Sequence, residues 1–224
     1  YRHLRRYHDA LHELNRTSLI RLNDSLKTAV LYEKAFNLLL TQQFSEALFN
    51  IRLIEEEKTT GSSWKNITPL KIIILNHNRE WPLAEKQFRE WINALELPQK
   101  EARHWQDSVS LLYKPKNIPK DYSEKKARNW SRFIPGSGQV YAGHPWEGAG
   151  SFLLNAAAIG LGLHQAWYGY YFTAYVAGFG IFHKTYFGGM ERAANLADIE
   201  KENEMERFNR QCAGMISRIL SGNR

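Results

Sequence analysis

The first half of the chain places apolar residues with the period of an α-helix. One series comprises Leu26, Val30, Ala35, Leu38 and Leu39, and it continues with Phe44, Ala47, Leu48, Ile51 and Ile54. A second series comprises Ile72, Ile73, Leu75, Trp81, Ala84, Phe88, Trp91 and Ile92. Residues three and four apart share one face of a helix, and no strand-like alternation competes over a useful length. The pattern therefore predicts an all-α fold.

The second half contains a long stretch without charged side chains. No Asp, Glu, Lys or Arg occurs among the 36 residues from Gly148 to His183. A membrane-spanning helix needs about 20 apolar residues, with a lower limit near 17. The stretch predicts a two-helix membrane hairpin, with helices over 146–167 and 170–188, that either spans the bilayer or re-enters on one side. Its turn carries Trp167 and several tyrosines, which favour the lipid–water interface.

Composition divides the chain into four segments. Residues 1–113 predict a helical-repeat domain, and residues 114–130 a linker whose prolines end the preceding helix. Residues 131–190 hold most of the glycines and include the predicted hairpin. Residues 191–224 are charged again and predict a C-terminal amphipathic helix with a thin apolar stripe. That helix either packs on the repeat domain or another subunit, or forms a solvated tail.

The two apolar series of the first half resemble each other. Phe44 and Ala47 recur as Trp81 and Ala84, 37 positions later. An aromatic residue that begins a second helix, with an alanine three residues on, resembles the tetratricopeptide repeat, whose period is about 34. The loop at 58–63 accommodates the extra residues. The alternative is a helical bundle with accidental self-similarity.

Two such repeats need further helices to complete a core, because about three repeats are required for stability. We expect Glu101–Tyr113 to form an additional helix and Arg2–Leu22 to cap the other end. Stacked repeats present concave surfaces that bind partners. The resemblance therefore implies a protein-docking domain.

Small residues recur along both helices of the predicted hairpin. Helices in lipid approach each other through such residues, because water supplies no hydrophobic drive for their association. We therefore predict that Gly160 and Gly178 lie at the helix–helix contact. The polar atoms of Asn155 should face the hairpin interior or the interface. The alternative is the buried core of a water-soluble domain, although such a core would normally carry Leu or Ile in place of glycine.

A glycine-rich motif precedes the hairpin. It comprises Pro135, Gly136, Gly138, Gln139, Tyr141, Gly143 and Gly148, and Asn155 follows in the first apolar helix. Pro135 and Gly136 predict a turn, and Gln139 can satisfy backbone groups at membrane depth. A phosphate-binding loop is not expected, because the motif lacks the Gly-Lys-Ser/Thr ending and no strand precedes it.

The motif resembles the proline–glycine–x–glycine–glutamine–x–tyrosine segment at which the chain enters the membrane in TM2-like small membrane domains. More closely, it is similar to bacterial envelope proteins that join tetratricopeptide-like repeats to this segment. The resemblance implies partner binding or membrane entrance at these residues, export after signal removal, and a periplasmic repeat domain. The absence of a Met at Tyr1 is compatible with that expectation.

The charge pattern favours anionic partners but does not determine the membrane orientation. The net charge is +7, which favours anionic surfaces such as phospholipid headgroups. Basic residues flank the hairpin on both sides, and the positive-inside rule would place both ends in the cytoplasm, against the exported relatives. We favour the exported orientation.

Candidate chemistry is sparse. His8, Asp9 and His12 approach a zinc-protease pattern but lack its Glu and a third ligand, and Cys212 has no identifiable base beside it. No catalytic residue, metal, cofactor or small-molecule substrate is expected. The sequence predicts a non-enzymatic envelope scaffold whose partners are membrane proteins and the bilayer. The alternatives are a soluble basic adaptor for nucleic acid or an acidic protein, for which the basic start at 1–8 argues, and a histidine-metal hydrolase.

Overall fold

The protein is all-helical in the part of the chain that the structure, a computed structural model, describes. These residues are 6–56 and 63–222, and within them every regular element is a helix. They form two compact units. Unit 1 contains the residues up to Ile118 together with those from Phe208 onward, and unit 2 contains Pro119–Arg207. The loop at 58–63 and the basic start of the chain, both singled out above, lie largely outside the described residues.

The described residues of unit 1 begin with six α-helices. They are α1 (Tyr7–Arg16), α2 (Asp24–Leu40), α3 (Phe44–Glu56), α4 (Ser63–His77), α5 (Trp81–Ala94) and α6 (Gln99–Leu112), with a 3₁₀ turn at Leu19–Arg21. The start of α2 has a local cause, because the Leu26 backbone N–H donates to the Asn23 side chain at 2.8 Å. This contact caps one of the backbone donors left free at a helix N-terminus.

The turns before α3 and α5 share one geometry, 37 residues apart. Gln42 and Arg79 adopt left-handed backbone conformations with φ of 61° and 62°. The N–H of Gln43 donates to the Leu38 carbonyl, and the N–H of Glu80 donates to the Leu75 carbonyl, both at 2.9 Å. The helix–turn–helix unit therefore occurs twice with the spacing of the sequence repeat. Each turn reverses the chain with a residue other than glycine at its left-handed position.

The core of unit 1 runs along these helix pairs. Ala47 and Ala84 are fully buried, as are Phe88 and Trp91. The helix expected over Glu101–Tyr113 is α6, which packs against α5. The cap expected before Leu22 includes α1, whose Leu11 is buried in the same core.

The C-terminal segment completes this core. Phe208 lies edge-on to Trp81 at 5.1 Å and to Tyr113 at 5.4 Å between ring centroids. Cys212, Ile216 and Ile219 are buried with it. The predicted helix over 191–224 is corrected in its start, because the observed helix α11 begins at Ile181 and continues to Gly222. Its last four turns are core of unit 1, so the solvated-tail alternative is wrong.

Unit 2 contains the glycine-rich motif and the apolar hairpin. Its elements are α7 (Glu124–Phe133), α8 (Ser137–Tyr141), α9 (Pro145–Trp167), α10 (Tyr171–Thr173), a π-helical segment (Ala174–Gly180) and the start of α11. Part of the predicted linker 114–130 is therefore helical, because Ser123 caps α7 by accepting from the Lys126 N–H at 3.3 Å.

The hydropathy of the hairpin is lower than the missing charges suggest. Among residues 6–56 and 63–222, no helix combines the length and the apolar content that crossing a bilayer requires. The prediction of membrane-spanning helices over 146–167 and 170–188 is corrected accordingly. Four glycines and Asn155 dilute the apolar residues of α9, and the π-helical segment interrupts the second helix.

Candidate functional site

The glycine-rich motif forms a tight corner between α7 and α9. Gly136 has a φ of +93°, which favours glycine, and it precedes the first residue of α8. A Cβ added at Gly136 would lie 2.0 Å from the Gly148 carbonyl oxygen, and one added at Gly148 would lie 2.5 Å from the Gly136 oxygen. The backbones of the corner and of α9 are therefore in direct contact, which only this glycine pair permits.

Gln139 is the polar centre of the corner. Its side chain is only 1% exposed. The Ser131 hydroxyl donates to Oε1 of Gln139 at 3.1 Å, and Nε2 of Gln139 donates to the Gly189 carbonyl at 3.0 Å. The Gly138 N–H in turn donates to the Ser131 hydroxyl at 3.0 Å. One amide side chain thus joins α7, α8 and α11.

The remaining motif residues surround this centre. A Cβ at Gly138 would lie 2.1 Å from the Ala127 carbonyl oxygen, so α8 packs closely on α7. Tyr141 accepts a hydrogen bond from the Ser123 N–H at 3.2 Å, and its ring packs on a small alanine-rich core. Gly143 has a φ of +88° in the turn before α9, and Pro135 is half-buried in the turn before α8.

Asn155 joins the two arms of the hairpin near its base. It is buried, and its Nδ2 donates to the Ser151 carbonyl at 2.7 Å within α9. The Thr185 hydroxyl of α11 donates to its Oδ1 at 2.9 Å. A buried amide costs little free energy when both of its ends are hydrogen-bonded. The placement of Asn155 toward the interior agrees with the expectation from the sequence.

The helix–helix contact uses a different glycine pair from the predicted one. A Cβ at Gly178 would lie 2.4 Å from Cα of Gly162, whereas a Cβ at Gly160 would meet no atom within 4 Å. The assignment of Gly160 to the contact is therefore corrected to Gly162, two residues further along α9. Gly178 lies in the π-helical segment, which packs against α9.

The outer surface of the hairpin is apolar along its whole length. Between Gly148 and His183 the buried residues are Gly148, Asn155, Ala158 and Gly178, all small or polar. All the large apolar and aromatic side chains of this stretch are exposed except the half-buried Phe182: Phe152, Leu153, Leu154, Ile159, Leu161, Leu163, Trp167, Tyr168, Tyr170, Tyr171, Phe172, Tyr175, Val176, Phe179 and Ile181. The hairpin therefore has the inside-out distribution of a segment that contacts an apolar environment.

The base of the hairpin combines exposed aromatic and basic side chains. Phe133 and Trp146 are 84% and 89% exposed, and Trp130 is also exposed. The Arg192 guanidinium forms a two-pronged ion pair with Glu147, and its hydrogen bond holds the pKa of that carboxyl below its ordinary value. Tryptophan with basic residues is the composition of protein surfaces at the lipid–water interface.

In unit 1 the aromatic residues of the repeat signature are the first residues of their helices. Phe44 begins α3 and stacks on His77 with 4.3 Å between ring centroids. Trp81 begins α5 and contacts Phe208. Both signature alanines, Ala47 and Ala84, face the core.

The nucleophile and metal candidates of the sequence lie on helices of unit 1. Burial raises the pKa of the Cys212 thiol to about 11, and the nearby Tyr113 hydroxyl donates to Asn76 at 2.8 Å. His8 and His12 lie on α1. Within residues 6–56 and 63–222, no three His, Cys, Asp or Glu side chains form a group that could hold a metal ion.

Several residues of the site escape sequence analysis. Ser131, Thr185 and Gly189 supply the partners of Gln139 and Asn155, from positions up to 50 residues away. Gly162 was visible only as one of many small residues.

Comparison of the chain with protein-family models, with curated proteins and with solved structures finds no match. The functional argument therefore depends on the site itself.

Proposed function

We propose that this chain is a non-enzymatic, membrane-attached scaffold or accessory subunit of a bacterial envelope complex. The hairpin of unit 2 attaches the chain to the membrane, and unit 1 docks protein partners. The observation that carries the proposal is the reversed polarity of the hairpin. Its large apolar side chains are exposed, and the few residues that it buries are small or polar.

The size of the exposed surface favours lipid over water. Fifteen large apolar or aromatic side chains of the hairpin are exposed, which corresponds to an area on the order of 1,000 Å² at typical side-chain sizes. The largest apolar patch on a typical soluble monomer covers roughly 300–600 Å². A surface of this extent, ringed by tryptophan and basic residues at its base, fits insertion into the apolar part of a bilayer.

Unit 1 supports the docking role through its paired helices. The repeated helix–turn–helix units resemble tetratricopeptide pairs in their aromatic and alanine positions, and stacked pairs of that kind present concave binding surfaces. The resemblance of the Pro135–Gly148 motif to envelope proteins supports the envelope location with unit 1 in the periplasm. Other envelope or membrane proteins are the expected partners.

Membrane recovery of matched charge variants tests the attachment. The full chain is expressed with Leu163→Lys in the hairpin or Phe49→Lys in unit 1, since these side chains are similarly exposed at 68% and 61%. A lysine at the centre of an apolar segment in lipid costs about 2.5–3.5 kcal/mol, and less near a helix end such as Leu163, one turn before Trp167, where its side chain reaches toward the interface. We expect Leu163→Lys to reduce recovery in carbonate-washed membranes, while Phe49→Lys leaves it unchanged.

The wild type decides the proposal independently of the variants. Its recovery in the soluble fraction after a carbonate wash would refute membrane attachment. Equal losses for Leu163→Lys and Phe49→Lys would show that the hairpin is not the attached element.

A further inference from the structure

A groove opens between α9 and the first turns of α11 at the base of the hairpin. Its volume is about 520 Å³. The walls include Ser151, Leu154 and Asn155 from α9, and Lys184, Thr185 and Gly188 from α11. A Cβ added at Gly188 would meet no atom within 4 Å, so the glycine leaves this wall open. The groove is large enough for a polar headgroup and the first part of an aliphatic chain.

The charge at the groove is positive. Lys184 is the first charged residue after the 36-residue uncharged stretch, and its side chain is exposed. Arg192 also lines the groove, but its charge is compensated by Glu147. In the part of the chain that the structure describes, Lys184 has no ion-pair partner and the Ser151 hydroxyl has no side-chain hydrogen bond. The groove therefore has the Lys184 ammonium on its α11 wall and the Ser151 hydroxyl on its α9 wall.

The surrounding segments extend the positive charge. Residues 119–147 and 184–192 carry seven Lys or Arg residues against four Asp or Glu, a net charge of +3. The exposed cations Lys125, Lys126 and Arg132 belong to this set. Juxtamembrane basic residues of this kind attract anionic headgroups. The free cation of the groove thus lies in a segment whose overall charge has the same sign.

We propose that this groove binds the phosphate headgroup of an anionic phospholipid. Lys184 contacts the phosphate, the Ser151 hydroxyl donates a hydrogen bond to it, and the acyl chain follows Leu154 along the exposed apolar face of α9. This inference rests on the proposed membrane attachment, because the groove must reach the headgroup region. A free phosphate would use the polar donors alone, whereas a phospholipid also covers the apolar wall that the groove shares with the hairpin.

Vesicle flotation of the full chain tests the groove. Binding is measured on phosphatidylcholine vesicles and on vesicles that also contain phosphatidylglycerol. Lys184→Gln removes the cation, and Lys201→Gln on the same helix, which removes a lysine that pairs with Asp121 at 3.8 Å, is the control outside the groove. Gly188→Leu and Gly150→Leu fill the groove without changing charge, and neither added Cβ meets an atom within 4 Å. Inorganic phosphate at constant ionic strength serves as the competitor.

We expect the wild type to prefer the phosphatidylglycerol vesicles. Lys184→Gln should reduce that preference about fivefold, the effect of one lysine near an anionic surface, and the two leucine variants should reduce it by excluding the headgroup from the groove. Lys201→Gln should keep the preference, and all variants should bind phosphatidylcholine vesicles as the wild type does.

The other outcomes separate the two proposals. Binding to neither vesicle type would refute membrane attachment. Binding to both with a preference that survives Gly188→Leu and Gly150→Leu would refute the groove while leaving attachment intact, because diffuse charge would then explain the preference. Displacement of the wild type by inorganic phosphate would assign the groove to free phosphate and overturn the lipid assignment.

Discussion

Adding one methyl group at Gly178 should loosen the hairpin, whereas the same change at Gly160 should not. The new Cβ of Gly178→Ala would lie 2.4 Å from Cα of Gly162, far inside the about 3.5–4.0 Å at which two carbons attract each other. The backbones must therefore separate by about 1 Å at this point. At Gly160 the added Cβ meets no atom within 4 Å.

The difference in opening free energy between Gly178→Ala and Gly160→Ala isolates the effect of the helix–helix contact. Alanine gains about 1 kcal/mol of helix propensity over glycine, and this gain is taken as common to both positions. Overpacking at a close contact costs about 1–3 kcal/mol, and only Gly178→Ala incurs it. At about 1.4 kcal/mol per factor of ten, the opening equilibria of the two variants should differ by about 5- to 140-fold. Gly162→Ala should fall between them, since its Cβ would lie 3.0 Å from Cα of Gly178.

Hydrogen exchange read by mass spectrometry measures this opening in the full chain in mild detergent. Peptides from residues 152–187 report on the hairpin, and peptides from α4 and α5 serve as an internal reference in unit 1. We expect faster exchange in the hairpin of Gly178→Ala, and unchanged or slower exchange in Gly160→Ala. Equal exchange in the two variants, or faster exchange in Gly160→Ala, would refute the assignment of the contact.

Two further predictions concern buried polar groups, one in each unit. Gln139→Leu removes two side-chain hydrogen bonds and leaves the buried Ser131 hydroxyl with one partner fewer. We expect the local stability of unit 2, measured by hydrogen exchange in α8, to fall by about 2–4 kcal/mol. Val140→Leu at a half-exposed position serves as the control, and an unchanged stability of Gln139→Leu would contradict the role of Gln139. Burial lowers the pKa of His77 below its ordinary value of about 6.5, so the unfolded chain binds the proton more readily and the stability of unit 1 should fall as the pH drops below about 6.5. Urea midpoints between neutral and mildly acidic pH should show this slope in the wild type and a flatter one in His77→Gln, and parallel slopes would contradict it.

The sequence was informative wherever a local pattern determines the structure. The uncharged stretch and its aromatic turn predicted the first hairpin helix over 146–167, and α9 covers Pro145–Trp167. The aromatic residues of the repeat signature marked the first residues of α3 and α5. Both predictions use neighbours within a few positions, where helix periodicity and turn residues act directly.

The facing of the glycines on α9 follows a helical spacing that the prediction did not use. Gly162 lies seven residues after the buried Asn155 and four after the buried Ala158, so it shares their face of the helix. Gly160 lies two residues before Gly162 and therefore on another face, where an added Cβ meets no atom within 4 Å. On the second helix, the contact residue Gly178 lies in the π-helical segment Ala174–Gly180.

The buried face of the C-terminal helix was visible in the sequence as a helical spacing, but the prediction used only part of it. Phe208, Cys212, Ile216 and Ile219 follow each other at spacings of four, four and three residues, the pattern of one buried helix face. All four are buried in unit 1. The partners of Gln139 are different in kind, because Ser131 and Gly189 lie eight and 50 positions away and are paired only by the fold.

Unit 2 packs in one way at the corner and in another along the hairpin, and this difference connects the fold to the proposed attachment. At the corner, Gln139 satisfies buried polar groups and the Gly136–Gly148 contact brings the two backbones together. Further along the hairpin, the contact between the arms uses Gly162, Gly178 and Ala158. Such small residues bury little apolar area, so the hydrophobic effect in water gives the two arms little reason to associate. In lipid the same arrangement is favourable, because close backbone packing stabilises the pair while Leu163 and its neighbours contact acyl chains. The proposed attachment therefore predicts that the hairpin is more ordered in a bilayer than in water.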